Sequence, residues 1–286
     1  MTQRLALIDG DIILWKVANA CQTNINFGTD EDPQWVYESD EDGASMLCRK
    51  LIAAIKNRIE ASKVLVCLSP TKTKERSHSM YWRHDILPSY KANRKGKETH
   101  PLLLHGFIRD FLMKHYPCMS EEHLEADDLL GIYATDPSVD TDNIICSVDK
   151  DFKQIPGTFY NTMYNTVVTT SEEDADLEHF MQMLTGDTVD NYKGCPGIGP
   201  KKATKLMDNA YDIWLSYARG EDGSHSLNYW RWVTVVDAFH KAGTKKNPLN
   251  LQVSDALIQA RVSRILRYGE YDFDNERVTL WSPPND

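Results

Sequence analysis

Leu5-Ala6-Leu7-Ile8-Asp9-Gly10-Asp11 is the stretch from which the fold is read. An apolar run that ends in aspartate predicts a buried strand, and Asp11 is placed to cap a helix that follows it. Two further segments repeat the theme: 63–68 is a second buried strand, and 143–148 is a third that ends in Asp149. Between them the spacing predicts helices over 44–61, from Pro101 to about His115, and from near Glu125. A strand-like run follows at 163–169, then a helix over 174–184. Beyond Gly186 the pattern is helical, apart from a loop at 220–226 and a short terminal strand within 271–281. Strands alternating with helices predict an α/β fold, with a mainly parallel central sheet flanked by helices and a helical C-terminal third.

The chain has 286 residues, of which 41% are hydrophobic, enough for one large α/β domain or a core with an appended module. We expect a core over 1–185 carrying a basic region at about 70–100, and a second region over 186–286. The six cysteines are scattered without a C-x-x-C pair, which argues against a zinc site or a disulfide framework. No apolar run is long enough to span a bilayer and the N-terminus lacks a signal pattern, so no membrane partner and a cytoplasmic location are expected. The formal net charge of -10 argues, taken alone, against nucleic acid. Its distribution argues otherwise. The acids at 28–43 read as a solvated loop, but others sit where chemistry is done.

In an open parallel sheet, ligands bind at the carboxyl ends of the strands. Asp9 lies at one such end, and Asp149 with Asp151 at another. Glu125, Asp127 and Asp128 open a helix, and Asp187 and Asp190 follow Gly186. Each group alone reads as helix caps or surface. Together they would repel one another unless cations neutralised them, and hard carboxylate oxygens suit Mg²⁺ or Mn²⁺. Two such ions support in-line displacement at phosphate.

Four motifs resemble those of the structure-specific 5′ nucleases, the flap endonuclease family. They are Ile8-Asp9-Gly10-Asp11, Glu125-Ala126-Asp127-Asp128, Ser147-Val148-Asp149-Lys150-Asp151, and Gly186-Asp187 through Asp190-Asn191. A helix-hairpin-helix signature follows over Gly194 to Ala203, and Tyr90-Lys91-Ala92-Asn93-Arg94 is similar to the family's basic motif. Tyr90 to Lys95, Asp149 to Phe152 and the run Arg264 to Tyr271 resemble the 5′→3′ exonucleases of T-seven-like bacteriophages. The resemblance spans nearly the whole chain. It implies a PIN-like nuclease core, a helical arch and a helix-hairpin-helix region. It also implies that Asp9, Glu125, Asp127 and Asp149 serve one metal with Asp128 close by, and that Asp151, Asp187 and Asp190 serve the other. Lys91 and Arg94 would join Asp9 and Asp149 as catalytic residues by reaching the scissile phosphate. One position departs from the pattern: Ser69 falls where the second strand of the family ends in an acid.

The basic stretch from Lys72 to Lys97, with Tyr81, Trp82 and Tyr90 interleaved, reads as a nucleic-acid groove beside the acids. Tyr90, Lys91, Arg94 and Lys95 are its expected DNA contacts. Gly197-Ile198-Gly199 lacks the third glycine of a dinucleotide fingerprint and follows no strand, so it reads as a turn between helices. There backbone N–H groups, with Lys201 and Lys202, would hold duplex phosphate. The resemblance also implies K⁺ at this turn. The expected activity is divalent-metal-dependent hydrolysis of duplex DNA from a 5′ end or 5′ flap, extending to RNA in RNA–DNA hybrids. Two alternatives stand beside it: a PIN-like ribonuclease, and a DNA-binding protein impaired in catalysis through Ser69.

Overall fold

The computed structural model describes residues 3–71, 81–94, 100–139, 141–218, 225–244 and 247–284. Strand β1 (Arg4–Asp9) enters helix α1 (Gly10–Ala20), and a hairpin of β2 (Gln22–Asn26) and β3 (Trp35–Ser39) leads to α2 (Glu41–Arg58) and β4 (Lys63–Cys67). The short α3 (Arg83–Ile86), α4 (His105–His115), β5 (Cys118–Met119) and α5 (Ala126–Ala134) come next. Then β6 (Asp142–Ser147) runs into a 3-10 turn (Lys150–Gln154), and a second hairpin, β7 (Gly157–Asn161) and β8 (Thr166–Thr170), follows. The remainder is α6 (Glu172–Thr185), α7 (Pro200–Ala218), α8 (Leu227–His240), a small β9 (Gly243–Thr244) and β10 (Asn247–Pro248) pair, α9 (Val253–Val262), and a last pair of β11 (Tyr271–Asp272) and β12 (Arg277–Val278).

The central sheet has six strands in the order β5-β4-β1-β6-β7-β8. All neighbours are parallel except β7 and β8. β1 lies at its centre, and the chain builds first toward β4 and later toward β6. This reversal opens a crevice at the carboxyl ends of β1, β4 and β6. Both faces of these strands are covered, which is why they read as continuous apolar runs. Ala6, Ile8, Val66, Ile144 and Cys146 pack against α1, α2 and α4 on one face. Leu7, Cys67 and Ile145 pack on the other against α5, Trp82, Phe152 and Phe159. Gly10 is needed where β1 turns into α1, because a Cβ there would lie 2.7 Å from the Cys67 carbonyl oxygen.

The structure departs from the sequence reading in several places. Asp9, not Asp11, caps α1: its carboxylate accepts the Ile12 N–H, and Asp11 sits in the first turn. The acidic segment 28–43 is only partly loop. It contains β3, and Asp40 caps α2 with Glu41 and Asp42 in the first turn, where the helix dipole favours them. Helix α4 begins at His105, four residues after Pro101. The run at 163–169 is one arm of the β7–β8 hairpin, and β7 is an addition to the reading. The expected division at 185/186 is crossed by packing in both directions. Phe180, Met183 and Leu184 of α6 lie in one cluster with residues of α7, α8 and α9. Ile265, Leu266 and Tyr271 return to the core around α5.

Candidate active site

The carboxyl ends of β1 and β6 bring Asp9 and Asp149 together across adjacent strands. Asp9 is buried, and its second oxygen accepts the Ser147 hydroxyl at 2.6 Å. Burial first, then the charges of Asp11 and Asp149, push its carboxyl up to about 7. Asp127, in the first turn of α5, is raised well above the carboxylate range by desolvation and by Asp9 and Asp149. Asp149 caps the 3-10 turn by accepting the Asp151 N–H at 2.9 Å. Burial raises it, the Asp151 amide opposes this, and Asp190 adds to the rise. Asp151 is pushed to about 7 by burial and by the charges of Asp149 and Asp187. One of its oxygens, Oδ1, is buried without a hydrogen-bond partner.

A second layer of side chains supplies the positive charge. The Glu125 carboxylate accepts Arg83 Nη1 at 3.0 Å, the Tyr90 hydroxyl at 2.9 Å, and Lys91 Nζ. Burial alone would raise this carboxyl, but Lys91 and Arg83 reverse the effect and hold it at about 2. Asp190 accepts the Tyr90 hydroxyl at 3.0 Å, lies 3.6 Å from Lys91 Nζ, and pairs with Arg94. Asp187 turns inward to accept the Val189 and Asp190 N–H groups at 2.6 and 3.3 Å. Backbone and side-chain amides lace these two loops together. Lys91 N–H donates to the Asp190 carbonyl, Asn93 Nδ2 to the Thr188 carbonyl, and Asn191 Nδ2 to the Ser89 carbonyl. Lys91 itself takes a left-handed backbone, with φ of 54°.

Ser69 lies two residues past β4, at the same edge. Its N–H donates to Asp11 at 3.1 Å, and its hydroxyl accepts the Ala126 N–H at the start of α5. A serine therefore closes the helix end where an acid was expected.

Residues 4–184 match the family model described as the 5'-3' exonuclease, N-terminal resolvase-like domain. The chain belongs to this family. It is 28% identical to the exonuclease of Escherichia phage T7, over 98% of this chain and 93% of that protein. It is 26% identical to the exodeoxyribonuclease of Enterobacteria phage T3 over the same shares. The flap endonuclease Xni of Shewanella piezotolerans is 30% identical over 54% of this chain and 67% of its own length. Among solved structures, the fold is shared with the bacteriophage T5 5'-exonuclease with zinc bound. The TM-score is 0.55 at 16% identity, covering 92% of this chain and 99% of that one. The protein is a 5′-3′ nuclease, and so a hydrolase.

Set in this family, seven of the eight acids singled out in the sequence share one electrostatic neighbourhood. The carboxyls of Asp9, Asp127, Asp149 and Asp151 are raised, Asp187 and Asp190 add their charge to the rise at Asp149 and Asp151, and Glu125 adjoins them through Lys91, which also lies near Asp190. Asp128 is the exception: it is wholly buried and turned away into Arg83, Trp82 and the chain at Leu266. One expected DNA contact, and the reading of the basic stretch around it, need correction. Tyr90 is 4% exposed and bonded to two acids, so its ring does not face a base. Arg83 and Trp82, counted in the basic groove, are buried as well. Lys95 lies outside the described residues, as do Lys72, Lys74, Arg76 and Lys97. Gly197 and Gly199 are exposed ahead of α7, with Lys201 and Lys202 exposed in its first turn. Lys202 Nζ donates to the Gly197 carbonyl at 2.8 Å. Sequence reasoning missed Arg83 and Ser147, whose partners are 42 and 138 residues away in the chain.

Among the described residues, no three acidic, histidine or cysteine side chains already close around a single point. The residues nevertheless fit divalent ions. Asp151 Oδ1 is a buried oxygen lacking a donor, several carboxyls raise one another, and every candidate donor is a hard oxygen.

Proposed function

We propose that the protein hydrolyses phosphodiester bonds of duplex DNA from the 5′ end or at a 5′ flap, using two divalent ions, Mg²⁺ or Mn²⁺. The observation that carries this reading is the cluster of mutually raised carboxyls around Asp9, Asp127, Asp149 and Asp151, edged by Lys91 and Arg94. Asp9, Glu125, Asp127 and Asp149 would hold one ion, and Asp151, Asp187 and Asp190 the other. The ions, when bound, supply Lewis acidity at the phosphate and lower the pKa of an attacking water. Asp128, whose oxygens are all engaged, is left out of the set.

Lys91 and Arg94 pair with Glu125 and Asp190 in the absence of DNA. On the substrate, the two cations would bind non-bridging phosphate oxygens and stabilise charge that grows there. Burial disfavours the Lys91 ammonium, yet Glu125, Asp190 and Asp127 more than offset this and keep it protonated. Gly197, Gly199, Lys201 and Lys202 would grip duplex backbone at the start of α7, without reading sequence. K⁺ at that turn would have to displace the Lys202 ammonium from the Gly197 carbonyl. The reading extends to RNA in RNA–DNA hybrids and to action in the cytoplasm of an infected bacterium. Among the described residues, no helix is long and apolar enough to cross a membrane.

Duplex DNA labelled separately at 5′ and 3′ ends, incubated with Mg²⁺ and with EDTA, tests the proposal. Metal-dependent release from the 5′ label first is expected, and release from the 3′ label first would overturn it. Faster cleavage of single-stranded RNA than of duplex DNA would favour the ribonuclease alternative. The Ser69 hydroxyl at the α5 terminus supports a second reading, a weakened first metal site. Metal-dependent binding without cleavage would establish it.

A further inference from the structure

Arg83 has no assigned role, yet every N–H of its guanidinium group is engaged. Its side chain is 4% exposed, and all five of its N–H groups have acceptors. Nε donates to the Val262 carbonyl at 3.1 Å. Nη1 divides between Asp128 Oδ2 at 2.7 Å and Glu125 Oε2 at 3.0 Å. Nη2 reaches Asp128 Oδ1 at 2.7 Å and the Arg264 carbonyl at 2.6 Å. Asp128 is equally saturated. Besides the two-pronged contact with Arg83 it accepts Trp82 Nε1 at 2.9 Å, the Leu266 N–H at 3.2 Å and the Glu125 N–H at 3.4 Å. No lone pair of Asp128 is left for a metal ion. The guanidinium also lies over the rings of Trp82 and Tyr90, at 4.6 and 5.8 Å from their centroids.

A buried ion pair of this kind contributes little net stability compared with apolar residues of the same shape. Its value here lies in where the remaining donors point. The Nη1–Nη2 edge of the guanidinium grips Asp128, the second Nη1 hydrogen holds Glu125, and the other donors hold the carbonyls of Val262 and Arg264 at the end of α9 and just beyond it. We propose that Arg83, anchored by Asp128, is a positioning residue. It sets the Glu125 carboxylate for metal binding and couples the chain after α9 to the acid cluster. The proposal rests on the metal-dependent reading of that cluster. Lysine cannot replace arginine here, because three donors on a point charge cannot fork onto Asp128 and still reach Glu125 and two carbonyls.

The test uses the full chain with Arg83→Lys, Trp82→Phe, Asp149→Ala and the remote core variant Ile52→Ala. Each is checked for folding by circular dichroism, then titrated with Mn²⁺ followed by electron paramagnetic resonance, and assayed on 5′-labelled duplex. Arg83→Lys should raise the Mn²⁺ concentration for half-saturation about tenfold or more and lower kcat with less change in KM. Trp82→Phe, which removes one bond to Asp128, should move Mn²⁺ binding the same way by a smaller factor. Ile52→Ala should lose thermal stability without altering Mn²⁺ affinity, because a purely structural loss leaves the folded site unchanged. Wild-type Mn²⁺ binding and kcat in Arg83→Lys would overturn the proposal. If that variant does not fold, wild-type Mn²⁺ binding in Trp82→Phe would overturn it instead. Mn²⁺ binding lost in Asp149→Ala but intact in Arg83→Lys removes only the role of Arg83. Intact binding in Asp149→Ala removes the metal reading beneath it.

Discussion

At Ser69, one hydroxyl closes the start of helix α5 at a position where a carboxylate would face Asp11. Ser69→Asp keeps an acceptor for the Ala126 N–H and adds a charge to the first metal group. The Mg²⁺ concentration for half-maximal cleavage should fall about three- to tenfold, and the metal-free protein should melt lower from added repulsion. An unchanged titration would show that the serine is not in the ligand shell. Asp149→Ala should reduce cleavage by more than about 100-fold with duplex binding largely retained. Lys91→Ala should lower kcat more than duplex affinity; a change in KM alone would make Lys91 a grip and not a transition-state contact. The residues of this site were legible in the sequence as types: acids at strand ends and helix starts, followed by lysine and arginine. Which acid does what was not legible. Asp127 and Asp128 are neighbours in the chain, but the turn of α5 sends one toward Asp9 and the other into Arg83.

The elements that hold the site show the same division. Strands β1, β4 and β6 were readable because each is buried on both faces and so carries an unbroken apolar run. β5 has two residues and exists only through pairing with β4, and the exposed β8 exists through its hairpin with β7. β5 carries no local signal of its own, whereas the β-branched run of β8 does and was read as strand-like. Helix α5 has little room where it meets the chain after α9. A Cβ on Gly131 would fall 2.3 Å from the Leu266 carbonyl oxygen and 2.9 Å from the Ile265 side chain. Gly131→Ala should therefore destabilise the protein by about 1–3 kcal/mol, read as a lower Tm in a thermal melt. The chain after α9 should move with it, so the same variant should weaken metal binding as well. A melt unchanged from wild type would mean that the Ile265–Leu266 segment can shift aside freely.

For the whole molecule, the metal-free site is a store of repulsion. Asp9 and Asp151 titrate near 7 in the folded chain against an ordinary value of 3.8. Between those values the folded state binds more protons than the unfolded state, so stability is lost as pH rises through the window. Glu125 works in the opposite sense. Held at about 2, it contributes stability above its ordinary 4.5 that is lost as pH falls toward 2. In EDTA, Tm should fall by on the order of 5 °C from about pH 5 to about pH 8. Mg²⁺ should restore more of it at the higher pH, where more ligands are ionised. A flat profile in EDTA would show that the acids are not crowded in solution. Under the proposed metal-dependent reading, cations bound among these acids would cancel part of the formal net charge of -10 where DNA approaches.

Taken by itself, the sequence determined the α/β class, the central strands, the acids that gather at their ends and the family to which the chain belongs. These are written in local terms: runs of apolar residues, and motifs a few residues long. Only the tertiary structure decided that Asp9 caps α1, that Tyr90 bridges Glu125 and Asp190, and that Arg83 belongs to the interior. Each of these depends on a partner far away in the chain or on burial by another element. The chemistry of an arginine or a tyrosine is the same on paper whether it faces solvent or is sealed against two carboxylates. Packing makes that choice.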